Sequence, residues 1–313
     1  MTKRRLTGQQ QARIRANQDA ELLSYDAKAI VLKRYRDEAL VWLEQGEEVT
    51  ASIRRTLDHL VPGDEVALSK DKGWVVTARF PRKTVLSRDS RLGKTKWIAA
   101  NITQMIIVLA VVPETSASLI DNYLLAAANL GVKPILLVNK VDLAESLEAG
   151  LEPYKLYQDL GFELYVCSVN QPETLVALKQ ALLDETSIFV GQSGVGKSSL
   201  LQTLLPHKAL EVGEISEKQQ LGRHTTSLSE YFLLPEGGGV IDSPGVREFV
   251  LNEFSASDLF TAFPELMRTG SCQFRNCQHE AEPGCALTGL VKGGLMSAER
   301  FEHFMTLFKR ASR

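Results

Sequence analysis

The chain has 313 residues, of which 44% are hydrophobic and 24% charged, and its formal net charge at pH 7 is −2. This composition is ordinary for a globular protein and indicates neither disorder nor a membrane protein. No apolar run approaches the roughly 20 residues that span a bilayer, so we expect no membrane partner. The N-terminus lacks the apolar segment of a signal peptide, and we therefore expect a cytoplasmic protein.

Positive charge is concentrated in an N-terminal arm, residues 1–26. The basic residues that precede the first acidic one, Asp19, are Lys3, Arg4, Arg5, Arg13 and Arg15. An arm of this kind suits contact with nucleic acid better than contact with an acidic small molecule. A solvated terminus without a partner is an equally good interpretation of the charge alone.

Residues 27–86 contain short β-type runs separated by turn-forming residues. Strands are predicted at 39–43, 49–53, 65–68 and 74–78. This pattern predicts a small β-barrel, for which an OB-like barrel is one candidate. The basic residues that would give the barrel a face for a nucleic-acid backbone are Arg54, Arg55, Arg79, Arg82 and Lys83. The charged segment 87–96 is interpreted as a basic linker.

Predicted strands and helices alternate in the next part of the chain. The strands are 105–112, 134–138, 163–167 and 187–190, and the helices are 118–130, 151–160, 172–183 and 198–205. This alternation predicts an α/β domain with a parallel sheet. Ligands of such sheets bind at the carboxyl ends of the strands, so the residues directly after each strand are the site candidates.

A phosphate-binding loop follows the predicted strand 187–190. Gly191, Gly196, Lys197 and Ser198 have the spacing G-x-x-x-x-G-K-S. Glycines let backbone N–H groups turn toward a polyphosphate, and the helix N-terminus adds partial positive charge. Lys197 would reach the β- and γ-phosphates, and the Ser198 hydroxyl would bind Mg²⁺. The predicted phosphate-binding residues are Gly191, Gln192, Ser193, Gly194, Val195, Gly196, Lys197, Ser198 and Ser199.

A guanine-specificity motif, N-K-x-D, follows the predicted strand 134–138 as Asn139, Lys140, Val141 and Asp142. The two carboxylate oxygens of Asp142 can accept from the N1–H and the exocyclic amine of guanine, and adenine offers neither donor there. We expect Asn139 to tie the base to the loop structure and the Lys140 stem to cover the face of the base. Ser168 follows the predicted strand 163–167 and is a candidate for the other side of the base, on position alone.

Candidate switch residues follow the phosphate loop. The polar segment 206–227 contains His224, Thr225 and Thr226, and one of the two threonines would close on Mg²⁺ and the γ-phosphate. The sequence does not decide between them. A D-x-x-G motif then runs from Asp242, which would hold a water on Mg²⁺, to Gly245, whose N–H would contact the γ-phosphate.

A candidate metal site lies near the C-terminus. Cys272, Cys277, His279 and Cys285 form C-x4-C-x-H-x5-C, a set that can close a tetrahedral zinc site. Four protein ligands indicate a structural zinc ion, which would stabilise a small helical domain. Disulfides or unrelated thiols are the alternatives, although three clustered cysteines cannot all pair among themselves.

The order of the motifs is a rotation of the order in Ras-like GTPases, where the phosphate loop comes first. At this point the sequence resembles the RsgA (YjeQ) family of circularly permuted GTPases. The stretches that carry the resemblance are 98–114, 136–143, 191–200, 222–227, 241–249 and 272–287. The expected architecture is a basic arm at 1–26, an OB-like barrel at 27–86, a circularly permuted P-loop GTPase domain at 87–250 and a zinc-binding helical domain at 251–313.

The resemblance implies a GTPase that binds the small ribosomal subunit and hydrolyses GTP during its late maturation, releasing itself or other factors. It implies GTP or GDP with Mg²⁺, one structural zinc ion, contact with rRNA, and a monomer. The residue after Gly245 is Val246, which cannot orient water as the glutamine of Ras-like enzymes does. We therefore expect His224 to orient the attacking water, as the resemblance also implies.

Two other functions are open. The chain could be an RNA-binding module in which GTP is a conformational ligand, or a permuted GTPase of large-subunit assembly. The barrel and the zinc motif argue against the second of these.

Overall fold

The computed structural model describes residues 19–57, 59–89, 95–205, 229–242, 254–280 and 282–311. The chain divides into two compact units. The first contains residues 1–103, 182–188 and 207–245, and the second contains 104–181, 189–206 and 246–313. Among the described residues, the helices are all too short or too polar to cross a bilayer.

The first unit begins with a closed five-stranded barrel. Its strands are β1 (Ala27–Arg34), β2 (Glu38–Leu43), β3 (Glu48–Ile53), β4 (Glu65–Lys70) and β5 (Trp74–Arg79), in the order β1-β2-β3-β5-β4. The predicted OB-like barrel is confirmed. Strand β1 lies in the predicted β-rich region but is not among the four predicted strands.

The segment that follows the barrel is a hairpin. Strands β6 (Val85–Asp89) and β7 (Thr95–Ala100) pair antiparallel, with Ser87 opposite Trp97. The interpretation of 87–96 as a basic linker is therefore wrong. Charged side chains do not prevent the two backbones from pairing, and the apolar ends of the strands are buried at Leu86 and Ile98.

The central sheet has six strands. They are β8 (Gln104–Ala110), β9 (Lys133–Asn139), β10 (Glu163–Val166), β11 (Thr186–Val190), β12 (Glu230–Leu233) and β13 (Gly239–Asp242), in the order β10-β9-β8-β11-β13-β12. Strand pairs β8/β9 and β9/β10 are parallel, as predicted, and β11/β13 is parallel as well. The end strand β12, which was not predicted, runs antiparallel to β13.

The helices between these strands follow the predicted positions with two interruptions. They are α1 (Ala117–Leu130), α2 (Leu147–Leu151), α3 (Lys155–Asp159), α4 (Leu175–Ala181) and α5 (Lys197–Leu204). The predicted helix 151–160 is broken by a 3-10 turn, Glu152–Tyr154, and the predicted helix 172–183 starts with another, Pro172–Thr174. Pro153 and Pro172 have no N–H to donate, so each marks the beginning of a new helical segment.

The C-terminal part of the second unit is helical, as predicted, with α6 (Ala256–Ala262), α7 (Ala286–Lys292) and α8 (Ala298–Ala311). Helix α6 starts with a capping box in which the Ser255 and Asp258 side chains each bond the other residue's backbone N–H. Asn129 of α1 donates to the Asp258 carboxylate at 3.2 Å. The C-terminal helices therefore pack against α1, the helix that joins β8 to β9.

A buried ion cluster lies at this contact. The Arg300 side chain of α8 is fully buried and pairs with Asp121 of α1 and with Glu265. Its Nη2 donates to the Glu265 carboxylate at 3.3 Å and to the Ala262 carbonyl at 3.1 Å. Burial acts to lower the pKa of Arg300, but the hydrogen bond to Glu265 and the two carboxylate charges raise it above its usual value. The guanidinium is therefore charged, and it forms ion pairs with carboxylates from two parts of the unit.

Candidate nucleotide and metal sites

The phosphate loop requires glycine at two positions where the backbone φ is positive. Gly191 directly follows β11 with φ 145°, and a Cβ there would lie 2.3 Å from the Val108 carbonyl oxygen. Gly196 has φ 95°, and a Cβ there would lie 2.4 Å from Asn139 Nδ2. Any larger side chain would clash, so these glycines allow the loop to approach β8 and the N-K-x-D motif closely.

The loop borders a cavity of about 320 Å³. Its lining residues are Lys140, Ser193, Gly194, Gly196, Lys197, Ser198 and Ser199. The last three are the first residues of α5, so the N–H groups at the start of that helix border the cavity. Positive partial charge and free backbone donors at such a position favour a phosphate group.

Lys197 is held against the loop by its ammonium group. Its Nζ donates to the carbonyl oxygens of Gly191 at 2.7 Å and Gln192 at 2.6 Å. Ser198 and Ser199 are exposed, whereas Val195 is fully buried and anchors the middle of the loop. The residues that carry the two hydroxyls therefore line the cavity, while the apolar Val195 side chain belongs to the core.

The N-K-x-D residues begin where β9 ends and bond to the phosphate loop. Asn139 is buried, and its Nδ2 donates to the Val195 carbonyl at 2.9 Å. Lys140 has φ 61°, and its Nζ donates to the carbonyl oxygens of Val112 at 2.8 Å and Gly194 at 2.6 Å. Val141 donates its N–H to the Cys167 carbonyl at 3.4 Å. The two motifs form one hydrogen-bonded structure, although 56 positions separate Asn139 from Val195.

Asp142 points into a small network formed by the loop after β10. Ser168 Oγ donates to Asp142 Oδ1 at 2.6 Å, and Asn170 Nδ2 donates to Asp142 Oδ2 at 2.9 Å. These hydrogen bonds, first that of Ser168 and then that of Asn170, hold the pKa of Asp142 below its usual value. Asp142 is therefore an ionised acceptor at neutral pH, and Ser168, predicted on position alone, contacts it directly.

The switch candidates are only partly within the described residues. Asp242 is the last residue of β13, in the first unit, and is half-buried. His224, Thr225, Thr226 and Gly245 lie outside the described residues. Their predicted roles stay predictions.

The four predicted zinc ligands converge. One ligand atom from each of Cys272, Cys277, His279 and Cys285 lies within 4.8 Å of every other. His279 Nδ1 is 3.5 Å from Cys272 Sγ and 3.6 Å from Cys285 Sγ. Zinc bond lengths to sulfur and nitrogen place neighbouring tetrahedral ligands about 3.5–3.8 Å apart. The donor set fits a tetrahedral zinc ion with Nδ1 as the histidine ligand, and the two distances from Nδ1 to sulfur match the tetrahedral spacing.

The local electrostatics favour a thiolate at Cys285, whereas burial raises the pKa of the Cys277 thiol to about 12. Burial acts to raise the pKa of the Cys285 thiol, but hydrogen bonds from the Thr288 backbone N–H and from His279 lower it to about 6. Cys285 also caps the N-terminus of α7. Gly284 has φ 74°, and a Cβ there would lie 2.3 Å from the Gln273 side chain, so the ligand loop folds tightly on itself.

Sequence reasoning missed some contacts around the phosphate loop. Gln192 Nε2 donates to the carbonyl oxygens of Pro113 at 3.2 Å and Glu114 at 3.0 Å. The Tyr123 hydroxyl of α1 bonds the Gly191 backbone. Pro113 and Glu114 follow the carboxyl end of β8, which is the position that the rule for parallel sheets marks as important. Tyr123 gives no comparable signal, because an aromatic residue in a helix is most often part of the core.

Together, the parallel sheet, the phosphate loop after β11 and the N-K-x-D motif after the earlier strand β9 define a P-loop GTPase domain of circularly permuted order. A family model described as RsgA GTPase matches residues 79–252. The small ribosomal subunit biogenesis GTPase RsgA of Haemophilus influenzae is 38% identical over 335 residues, covering 100% of this chain and 97% of that protein. The chain belongs to the RsgA GTPase family.

Further relatives agree with this assignment. The protein of the same description from Hahella chejuensis is 40% identical, covering 98% of this chain and 96% of its own. The crystal structure of YjeQ from Thermotoga maritima has a TM-score of 0.72 at 26% identity, covering 91% of this chain and 98% of that one. The structure of YloQ, described as a circularly permuted GTPase, has a TM-score of 0.68 at 23% identity, with coverages of 91% and 94%, and supports the fold.

Proposed function

We propose that this protein binds the small ribosomal subunit and hydrolyses GTP during the late maturation of that subunit, releasing itself or other factors. The observation that carries the proposal is that Asn139 and Lys140 of the N-K-x-D motif donate to carbonyl oxygens of the phosphate loop, in a chain that matches small-subunit biogenesis GTPases over nearly their full length. These bonds support a base site and a phosphate site that belong to one nucleotide.

Guanine selection rests on the ionised carboxylate of Asp142. Its two oxygens would accept from the N1–H and the exocyclic amine of the base, whereas adenine would leave them unpaired at a cost of about 1–3 kcal/mol per group. The Lys140 stem, held by bonds to Val112 and Gly194, is in a position to cover one face of the base. Ser168 Oγ donates to Asp142 Oδ1 at 2.6 Å and so holds the carboxylate in place.

Phosphate binding and hydrolysis would use the loop, α5 and the switch residues. Lys197 contacts the β- and γ-phosphates, and the backbone N–H groups of the loop bind their oxygens. The hydroxyl of Ser198, the carboxylate of Asp242 and one of Thr225 and Thr226 would supply the oxygen ligands that suit Mg²⁺. When bound, the metal neutralises negative charge on the phosphates. The backbone N–H of Gly245 would donate to the γ-phosphate.

The attacking water needs a residue that orients it, and His224 is our candidate because Val246 has no polar side chain. Replacing His224 with alanine should leave GTP affinity unchanged and lower turnover about 10²-fold, since a positioned side chain contributes that much. Turnover at saturating GTP and nucleotide affinity are measured for both proteins. His207→Ala, in the same polar segment but outside the switch motif, is the matched control. If His224→Ala hydrolyses GTP at the wild-type rate, His224 does not orient the attacking water.

The Cys3His group is proposed to bind one structural zinc ion. Chelation should lower the thermal unfolding midpoint of the protein, because binding energy at a closed zinc site is folding energy. Cys277→Ser should lower both the zinc content and that midpoint. Cys167→Ser removes a buried cysteine outside the group and should keep the zinc content at one ion per chain. Purified Cys277→Ser protein that retains a full equivalent of zinc would contradict the proposal.

We divide the chain into a basic arm at 1–26, a barrel at 27–86, a GTPase domain at 87–250 and a zinc-binding domain at 251–313. The arm and the barrel are assigned the contact with rRNA. The barrel presents one cation beside an aromatic ring, with Lys70 over Trp74 at 5.0 Å, and such a pair suits a nucleic-acid backbone and its bases. The Arg82 side chain, predicted to be part of the basic face, is instead buried in an ion pair with Asp64 at 2.6 Å. We propose a monomer that works in the cytoplasm.

The direct test of the chemistry is turnover of GTP and of ATP by the purified full chain. We expect phosphate release from GTP, with ATP at least 10²-fold poorer because the base site rejects adenine. Tight GTP binding without turnover would instead favour an RNA-binding module with GTP as its conformational ligand.

A further inference from the structure

The loop after β10, predicted by its position to lie beside the base, contains a second side chain that bonds the Asp142 carboxylate. Asn170 Nδ2 donates to Asp142 Oδ2 at 2.9 Å, while Ser168 Oγ donates to Asp142 Oδ1 at 2.6 Å. The two oxygens of Asp142 are thus held by different residues. A carboxylate with one donor on each oxygen cannot rotate about its Cβ–Cγ bond without breaking at least one hydrogen bond.

We propose that Asn170 is a positioning residue for guanine specificity, acting through Asp142 by fixing the plane of its carboxylate. This inference rests on the proposed function, in which Asp142 reads guanine. An ionised carboxylate has about four acceptor positions, two on each oxygen. Ser168 and Asn170 use one position on each oxygen, which leaves one on each for the N1–H and the exocyclic amine of the base.

The loop that carries Asn170 is itself rigidly built. The Asn170 N–H donates to Ser168 Oγ at 3.1 Å, so the same hydroxyl contacts both Asn170 and Asp142. The Ser168 N–H donates to Thr174 Oγ1 at 2.9 Å, and the Thr174 hydroxyl in turn donates to the Gln171 carbonyl at 2.6 Å. Ser168 is buried, whereas Asn170 is exposed. Asn170 therefore reaches Asp142 from the solvent side of a fixed turn.

The charge distribution agrees with this role. The hydrogen bonds of Ser168 and Asn170 both lower the pKa of Asp142, and the nearby Lys140 charge adds to them. Pre-orienting the acceptor reduces the conformational freedom that is lost when the base binds, which is the usual effect of a residue that supports a binding group. A purely structural role for Asn170 would instead affect all nucleotides equally.

The test compares GDP with IDP, whose base lacks the exocyclic amine, on the full chain. In Asn170→Ala, GDP affinity should fall about fivefold because a hydrogen bond to the charged acceptor is lost. IDP affinity should fall only about twofold, since IDP uses fewer of the oriented positions. The GDP-to-IDP affinity ratio therefore decreases. The Km for GTP should rise while kcat stays within about twofold, because the base site is remote from the reacting phosphate.

Two variants make the result specific to the amide donor. Asn170→Asp keeps the size of the side chain but removes the N–H donor, so it should reduce the GDP-to-IDP ratio at least as much as alanine does. Glu173→Gln changes an exposed residue of the same loop and should leave the ratio at the wild-type value. Thermal unfolding of each variant separates loss of folding from loss of selectivity.

The outcomes distinguish the inference from the proposed function. If the wild-type protein binds GDP and IDP equally, or GDP and ADP equally, guanine reading by Asp142 fails and the proposed function with it. If the wild-type protein prefers GDP but Asn170→Ala keeps the same GDP-to-IDP ratio, only the role of Asn170 is overturned. An equal fall for GDP, IDP and ADP also overturns it, because that is the result of a structural effect.

Discussion

Replacing Lys197 with alanine is expected to lower the rate of GTP hydrolysis about 10²–10³-fold, as is typical when a preorganised charge on the reacting phosphates is removed. Its ammonium is already fixed against the loop by bonds to the Gly191 and Gln192 carbonyls, so it needs little reorganisation when GTP binds. The alanine side chain cannot replace either the charge or these bonds. Phosphate release at saturating GTP measures the loss.

The same variant separates an enzyme from a binding module. GTP affinity is also expected to fall, so small-subunit binding is measured at GTP concentrations that restore saturation. If hydrolysis drives release, the saturated variant should stay on the subunit longer than the wild-type protein does. Lys155→Ala, at an exposed lysine of α3, is the matched control and should behave as wild type. Wild-type turnover in Lys197→Ala would refute the assignment of the phosphate site.

Replacing Arg300 with alanine is expected to lower the free energy of unfolding by about 3–5 kcal/mol, because it leaves buried carboxylates without a counter-charge. Asp121 and Glu265 would both lose the guanidinium, although Asp121 keeps its contacts with Tyr157 and His303. The guanidinium also packs on the rings of Phe263 at 4.5 Å and Tyr157 at 5.2 Å. Urea unfolding followed by circular dichroism measures the change. The helices that surround the zinc group should separate from α1 first, since Arg300 of α8 joins them to it.

Two comparisons make this prediction specific. Arg268→Ala removes an exposed arginine at the end of the 3-10 turn Pro264–Arg268 and should change the free energy of unfolding by less than about 0.5 kcal/mol. The triple variant Asp121→Asn, Glu265→Gln, Arg300→Met removes all three charges together. It should be more stable than Arg300→Met alone, because no buried charge is left unpaired. Equal urea midpoints for Arg300→Ala and the wild-type protein would show that the cluster does not stabilise the fold.

Much of the fold could be predicted from local sequence patterns. The apolar run of β8 and the turn residues between the barrel strands are signals that lie within short stretches of sequence. The parallel sheet and the barrel could therefore be predicted. The hairpin β6–β7 could not be recognised, because its charged residues resemble a linker and the pairing partner decides its structure. The breaks at Pro153 and Pro172 were readable in principle, since proline has no backbone donor.

In the candidate site, too, some residues could be predicted from local patterns and others could not. Residues within contiguous motifs, such as Lys197 and Asp142, could be named because the spacing of a motif reflects its chemistry. Contacts between distant segments could not, and the clearest case is Arg300, which pairs with a residue 179 positions away. A single arginine in an amphipathic helix predicts a solvated side chain, and only the tertiary packing buries it. The bond from Asn170 to Asp142 was missed for a similar reason, because only the folded chain brings the loop after β10 beside Asp142.

The central claim is that the small ribosomal subunit is the partner of this GTPase, and the rate of GTP turnover tests it most directly. Turnover is measured for the protein alone, with purified small subunits and with purified large subunits at the same concentration. The account predicts slow turnover alone, a clear increase with small subunits, and no increase with large subunits. Equal turnover in all three samples, or stimulation by the large subunit only, would contradict it.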